Sequence, residues 1–134
     1  MIDQVYEMSS EGLTHFFAKE WENLCRSCVP ALPVEGINFD LPSRWWGSNT
    51  NGEQMELDLV SNSTDKKYLM VGECKWSKIA DPAPLFAGLK RKAELLPFVK
   101  GKKIIPVLFL KEISNVAKNN SYIFTPEEVL SRLK

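Results

Sequence analysis

At 134 residues, 44 % hydrophobic and 25 % charged, the chain has the composition of one globular domain, not of a disordered tail, a collagen or a fibre. It has no apolar run near the ~20 residues of a membrane span and no signal-peptide pattern at its start. Its three cysteines are an odd number that suits a reducing compartment, so a soluble cytoplasmic domain spanning residues 1–134 is expected. Net charge is zero, but residues 1–67 hold 5 basic and 11 acidic side chains against 12 and 6 in residues 68–134; this fits either a cation-binding pocket beside an anion-binding face or merely unequal solvated faces.

Leu13, Phe16, Phe17, Trp21, Leu24, Cys25 and Cys28 recur at helical spacing and predict a helix over residues 10–28, ended by Val29-Pro30. Residues 42–46 are expected as a short strand, followed by a turn that holds Asn51-Gly52. Glu56-Leu57-Asp58-Leu59-Val60 alternates with period two, as a half-buried strand does. The polar run 61–67 is a turn, and residues 68–76 return as the hairpin partner. Asp81-Pro82 starts a helix, with Leu85, Leu89, Ala93 and Leu96 as its apolar stripe and Pro97 as its stop. Residues 104–110 form an apolar strand in which Pro106 implies an unpaired edge. After a short strand at 122–124, Thr125-Pro126-Glu127-Glu128 reads as a capping box, opening a helix that buries Val129 and Leu130. The order α-β-β-β-α-β-(β)-α is an α/β domain with a mixed sheet flanked by helices.

A hairpin turn centred on Asp65-Lys66 sets Asp58 opposite Glu73, Glu56 opposite Lys75 and Val60 opposite Val71. Alternation then places Glu56, Asp58, Glu73 and Lys75 on one face, and Leu57, Leu59, Cys74 and Trp76 on the other. Directly opposed carboxylates destabilise a sheet unless they share a cation, and Mg²⁺ commonly takes one or two carboxylates from a protein. The plainer alternative is a solvated face whose carboxylates and lysine balance as salt bridges. Lys92 lies inside the second helix's stripe and either reaches a phosphate or snorkels from a buried stem. Arg44 is a candidate phosphate contact, whereas Trp45 and Trp46 beside it are expected in packing, not base stacking. Cys25-x-x-Cys28 falls at a helix end within the apolar stripe and fits buried thiols better than a zinc or redox site.

Glu56-Leu57-Asp58 with Gly72-Glu73-Cys74-Lys75-Trp76 resembles the D-x(n)-E-x-K signature of the PD-(D/E)xK, or restriction-endonuclease-like, superfamily. The α-β-β-β-α-β order matches that superfamily's core. With Arg44-Trp45-Trp46-Gly47 ahead of it, the pattern is similar to the C-terminal domain of archaeal-type AAA ATPases. The resemblance implies a DNA phosphodiesterase dependent on Mg²⁺ or Mn²⁺. Asp58, Glu73 and the Cys74 carbonyl would hold the metal, and Lys75 would act on the attacking water. It also implies a glutamate from the first helix, where the motif nominates Glu22 and helical geometry admits Glu20. DNA is the implied partner, with an ATPase domain in cis or in trans and no membrane. The alternative is a nuclease-fold module that binds DNA or docks a protein without cutting, and an interaction domain with fortuitous acidic pairs is the third reading.

Overall fold

The structure, a computed structural model, describes residues 10–32, 34–113 and 122–133, with side chains from residue 17 onward. Helix α1 (Ser10–Cys28) turns Trp21, Cys25 and Cys28 inward, one face at i, i+4 and i+7. The Trp21 indole N–H donates to the Phe109 carbonyl at 3.2 Å and ties the helix to the sheet. A 3₁₀ turn at Val29–Ala31, containing Pro30, ends the helix where expected. The stripe positions Leu13 and Phe16 lie outside the described side chains.

Five strands follow, β1 (Ser43–Ser48), β2 (Gln54–Asn62), β3 (Tyr68–Ile79), β4 (Lys103–Ile113) and β5 (Ile123–Phe124), in that order across one sheet. The first three form an antiparallel meander, and β4 and β5 add parallel. Helix α2 (Ala83–Glu94) makes the β3-to-β4 crossover, and α3 (Pro126–Arg132) follows β5. This is the expected mixed α/β architecture, an arrangement compatible with a nuclease-like core. Among the described residues no helix is long and apolar enough to cross a membrane.

The sheet separates two apolar layers. On one side Leu59, Met70, Cys74, Val107 and Phe109 pack with Trp21, Cys25 and Cys28 of α1. On the other, Leu57, Leu69, Val71, Leu108 and Leu110 pack with Leu89 and Ala93 of α2 and with Leu96 just beyond it.

The hairpin takes the register derived from its turn, with Leu59 paired to Gly72 and Val60 to Val71. The face assignment of β2 needs correction. Between the pairs Ser43↔Val60 and Trp45↔Leu57, β2 carries one residue more than β1, a bulge around Asp58-Leu59. Leu57 therefore joins the α2 layer while Leu59 faces α1, so the two do not share a face.

Pro106 sits inside β4, and among the described residues β5 pairs with β4 only from Leu108 onward. The Leu108 N–H donates to the Tyr122 carbonyl at 2.9 Å where β5 pairing begins. Two residues earlier, on that same side, Pro106 has no N–H to offer. Three smaller expectations fail. Helix α2 ends at Glu94, ahead of Pro97, with the Leu95 and Leu96 N–H groups bonded back to Lys92 and Ala93. Thr125 makes no side-chain cap bond, so no capping box forms. Leu130 is 50 % exposed, because the seven-residue helix has turned ~100° past the buried Val129.

A candidate active-site cleft where two strands part

The β2–β3 ladder stops at Leu59↔Gly72 although both strands run on. Beyond that point β2 stays with β1, while Glu73, Cys74 and Lys75 stay with Leu108, Phe109 and Leu110 of β4. A cleft of about 230 Å³ opens between them, lined by Glu22 of α1, Glu56 and Asp58 of β2, Glu73, Cys74 and Lys75 of β3, and Leu89 and Lys92 of α2.

Asp58 is fixed from two directions. Its Oδ2 accepts the Cys74 N–H at 2.9 Å, so a side chain takes up a main-chain donor just past the end of the ladder. Its own carbonyl, at the bulge, accepts from the Arg26 guanidinium at 2.9 Å, and Arg26 is steadied by Asn23 Oδ1, also at 2.9 Å. Arg26 escaped the sequence reading. The signal was there, an arginine one helical turn after Glu22 and so on the same side of α1.

Glu73 and Lys75 project from alternate positions of β3 and form an ion pair at 3.2 Å. The expected cross-strand partner of Lys75, Glu56, is instead bound by Arg44 at 2.7 Å. Parting of the strands is the reason, since it removes the Glu56–Lys75 opposition that the hairpin register would give. Glu22 is half-buried in the cleft; burial first, then the Asp58 charge, pushes its carboxyl above the usual range, against the pull of Arg26, Arg44 and Lys19. Glu20 is exposed and lines a separate apolar hollow with Phe17, Trp21 and Trp76. Geometry therefore puts Glu22, not Glu20, beside Asp58.

Lys92 is exposed, with its Nζ 3.3 Å from the Glu56 carbonyl at the cleft. Arg44 does not line the cleft; its guanidinium lies 5.7 Å from the centre of the Trp46 ring on strand β1. Trp45 packs edge-on to Phe98 at 6.1 Å as expected, but Trp46 is 68 % exposed, which corrects the packing assignment for that residue. Cys25, Cys28 and the Cys74 side chain are free thiols buried in the α1 layer. Burial pushes the Cys28 thiol up to about 11 and that of Cys25 further in the same direction.

Residues 1–91 match the DUF234 family, described as archaeal and bacterial proteins of unknown function. The chain belongs to this family. No curated protein and no solved structure matches it. The matched part of this DUF234 chain includes Glu22, Asp58, Glu73 and Lys75, and stops just short of Lys92.

Chemically, the DUF234 cleft offers carboxylates from three elements, the Cys74 main chain, and two ammonium groups at one spot. The Asp58–Cys74 bond uses Oδ2 and leaves Oδ1 outside it; the Glu73–Lys75 pair uses Oε1 and leaves Oε2 outside it. Among the described residues no three His, Cys, Asp or Glu side chains come together closely enough to hold a metal ion by themselves. An oxygen-only set with two carboxylates suits a hard, largely hydrated cation such as Mg²⁺, which takes few protein ligands and keeps several waters.

Proposed function

We propose that the cleft is the site of a metal-dependent phosphodiesterase acting on DNA, in a domain of the PD-(D/E)xK type. The observation that supports it most is the gathering of Glu22, Asp58, Glu73, Lys75 and Lys92 from four elements where the strands part. Glu56 and Glu73 are paired with Arg44 and Lys75, which leaves the Glu22 and Asp58 charges in conflict unless a further cation enters the cleft. Asp58 and Glu73, with the Cys74 carbonyl, would hold Mg²⁺ or Mn²⁺. When bound, such an ion polarises a phosphate and lowers the pKa of water.

The chain's own groups have separable duties. Lys75, two residues from Glu73, holds the attacking water or offsets the charge that develops on the phosphate. Glu22, with its raised proton affinity, is placed to accept a proton from that water. Lys92 reaches a neighbouring phosphate as a point charge. Arg26 acts on none of these and positions Asp58. The similarity to the C-terminal domains of archaeal-type ATPases makes an ATPase domain, in cis or in trans, the protein partner under this reading.

The test is incubation with supercoiled plasmid and with single-stranded DNA, in Mg²⁺, in Mn²⁺ and in chelator. Cleavage that needs the cation and is lost in Asp58→Asn is the expected result. DNA binding without cleavage under every condition would replace this reading with the non-cutting module.

A further inference from the structure

Among the described residues, the exposed Trp46 belongs to neither apolar layer of the sheet. In β1 its neighbours on its own face are Arg44 and Ser48, and its cross-strand partner is Glu56, which lines the cleft. Ser48 is itself hydrogen-bonded to Gln54 at 3.1 Å. A 68 % exposed indole thus stands in a polar field, at the rim of the cleft, on an edge strand. Trp45, one residue earlier, points to the other layer and packs on Phe98. The Arg44 guanidinium lies over the Trp46 ring while paired to Glu56, so a cation is held where ring and cleft meet.

A protein-docking hot spot has a different character, with an aromatic at the centre of an apolar patch that excludes water. An isolated, exposed aromatic with a cation over one part of its ring is an arrangement that can take an unstacked base and its phosphate, since every base offers a π face. A base inside a duplex is already stacked and cannot use it.

We propose that Trp46, with Arg44 beside it, is a base-stacking platform at the mouth of the cleft, so that the nucleic acid bound there is single-stranded where it leaves the cleft. This rests on the reading of the cleft as a nucleic-acid site, and adds which form of nucleic acid enters it.

The experiment is fluorescence anisotropy of a labelled oligothymidylate strand and of a blunt duplex, in chelator so that nothing is cut, with wild type, Trp46→Ala and Trp46→Phe. Circular dichroism confirms that each variant folds. Trp46→Ala is expected to weaken strand binding about 5- to 100-fold, the scale of losing one base–aromatic stack. Trp46→Phe should retain most of the affinity, and duplex binding should change far less. Strand binding should also quench tryptophan emission in wild type more than in Trp46→Phe. Equal strand affinity for wild type and Trp46→Ala, equal losses on strand and duplex, or no strand binding by wild type would each overturn the proposal. Cleavage assays in Mn²⁺ separate it from the wider reading: Trp46-dependent binding without cleavage keeps the platform and removes the phosphodiesterase, and cleavage indifferent to Trp46→Ala does the reverse.

Discussion

Asp58 depends on Arg26 as much as on its own strand. The guanidinium is the donor that holds the bulged Asp58 carbonyl, and the bulge aims the carboxylate at Cys74. Arg26→Ala should cost about 1.5–3 kcal/mol, the scale of a hydrogen bond to a charged group, as read from denaturant melts. Arg26→Lys should recover only part of it, because one ammonium cannot reach both Asp58 and Asn23 in the guanidinium's forked geometry. Glu22 carries the pH signature. Its carboxyl is raised by burial and by Asp58, so it favours the folded state below its unfolded value, and that contribution is lost as pH rises through the folded one. In chelator, Glu22→Gln should therefore melt above wild type at neutral pH, and the gap should shrink as pH falls through the carboxylate range. A gap that widens on acidification would contradict the electrostatics described for the cleft.

Among the elements, β3 is the most constrained, because it is paired on both sides up to Gly72 and packed on both faces. A Cβ at Gly72 would lie 3.1 Å from Val107 Cγ2 and 3.3 Å from Leu59 Cδ2. Gly72→Ala should destabilise by about 1–3 kcal/mol through overpacking, and adding Val107→Ala should return less than additive loss, since the two share the space. The hairpin register was legible from sequence because a polar turn and strict alternation leave one centring that buries Leu59 and Val71 together with their neighbours. The bulge was not legible: it is a difference in residue count between β1 and β2, and nothing in Glu56–Val60 marks it. From that one extra residue come the wrong face for Leu57 and, with the strand parting beyond it, the changed partners of Glu56 and Lys75. Trp46 was misjudged for another reason, in that large aromatics are usually packed and exposure at an edge depends on which strand has no neighbour. Glu22 was legible only through its motif, since helical projection favoured Glu20.

On the scale of the whole molecule, the two ends of β3 differ in charge, but the difference does not follow the two halves of the sequence, since Lys66 and Lys67 belong to the acidic half and Glu73 to the basic one. Lys66, Lys67 and Lys103 gather where the hairpin turn meets the start of β4, while the acidic cleft lies roughly 20 Å along the strand. A divalent cation in that cleft would relieve repulsion and stabilise the fold by RT ln(1 + [L]/Kd), ~2.7 kcal/mol at a hundredfold excess over Kd. Thermal melts should accordingly rise with Mn²⁺ in wild type and stay flat in Asp58→Asn. Whether this cleft cuts phosphodiesters is decided by comparing Lys75→Ala with wild type on one DNA substrate in Mn²⁺. Lys75 is 44 % exposed and, among the described residues, pairs along its own strand with Glu73, so its removal should leave folding and the Mn²⁺ melting shift intact. Cleavage should nevertheless fall ~10²-fold or more, the loss of one positioned electrostatic or proton-transfer group. Cleavage by Lys75→Ala at the wild-type rate would mean that the cleft is not where the phosphodiester is cut.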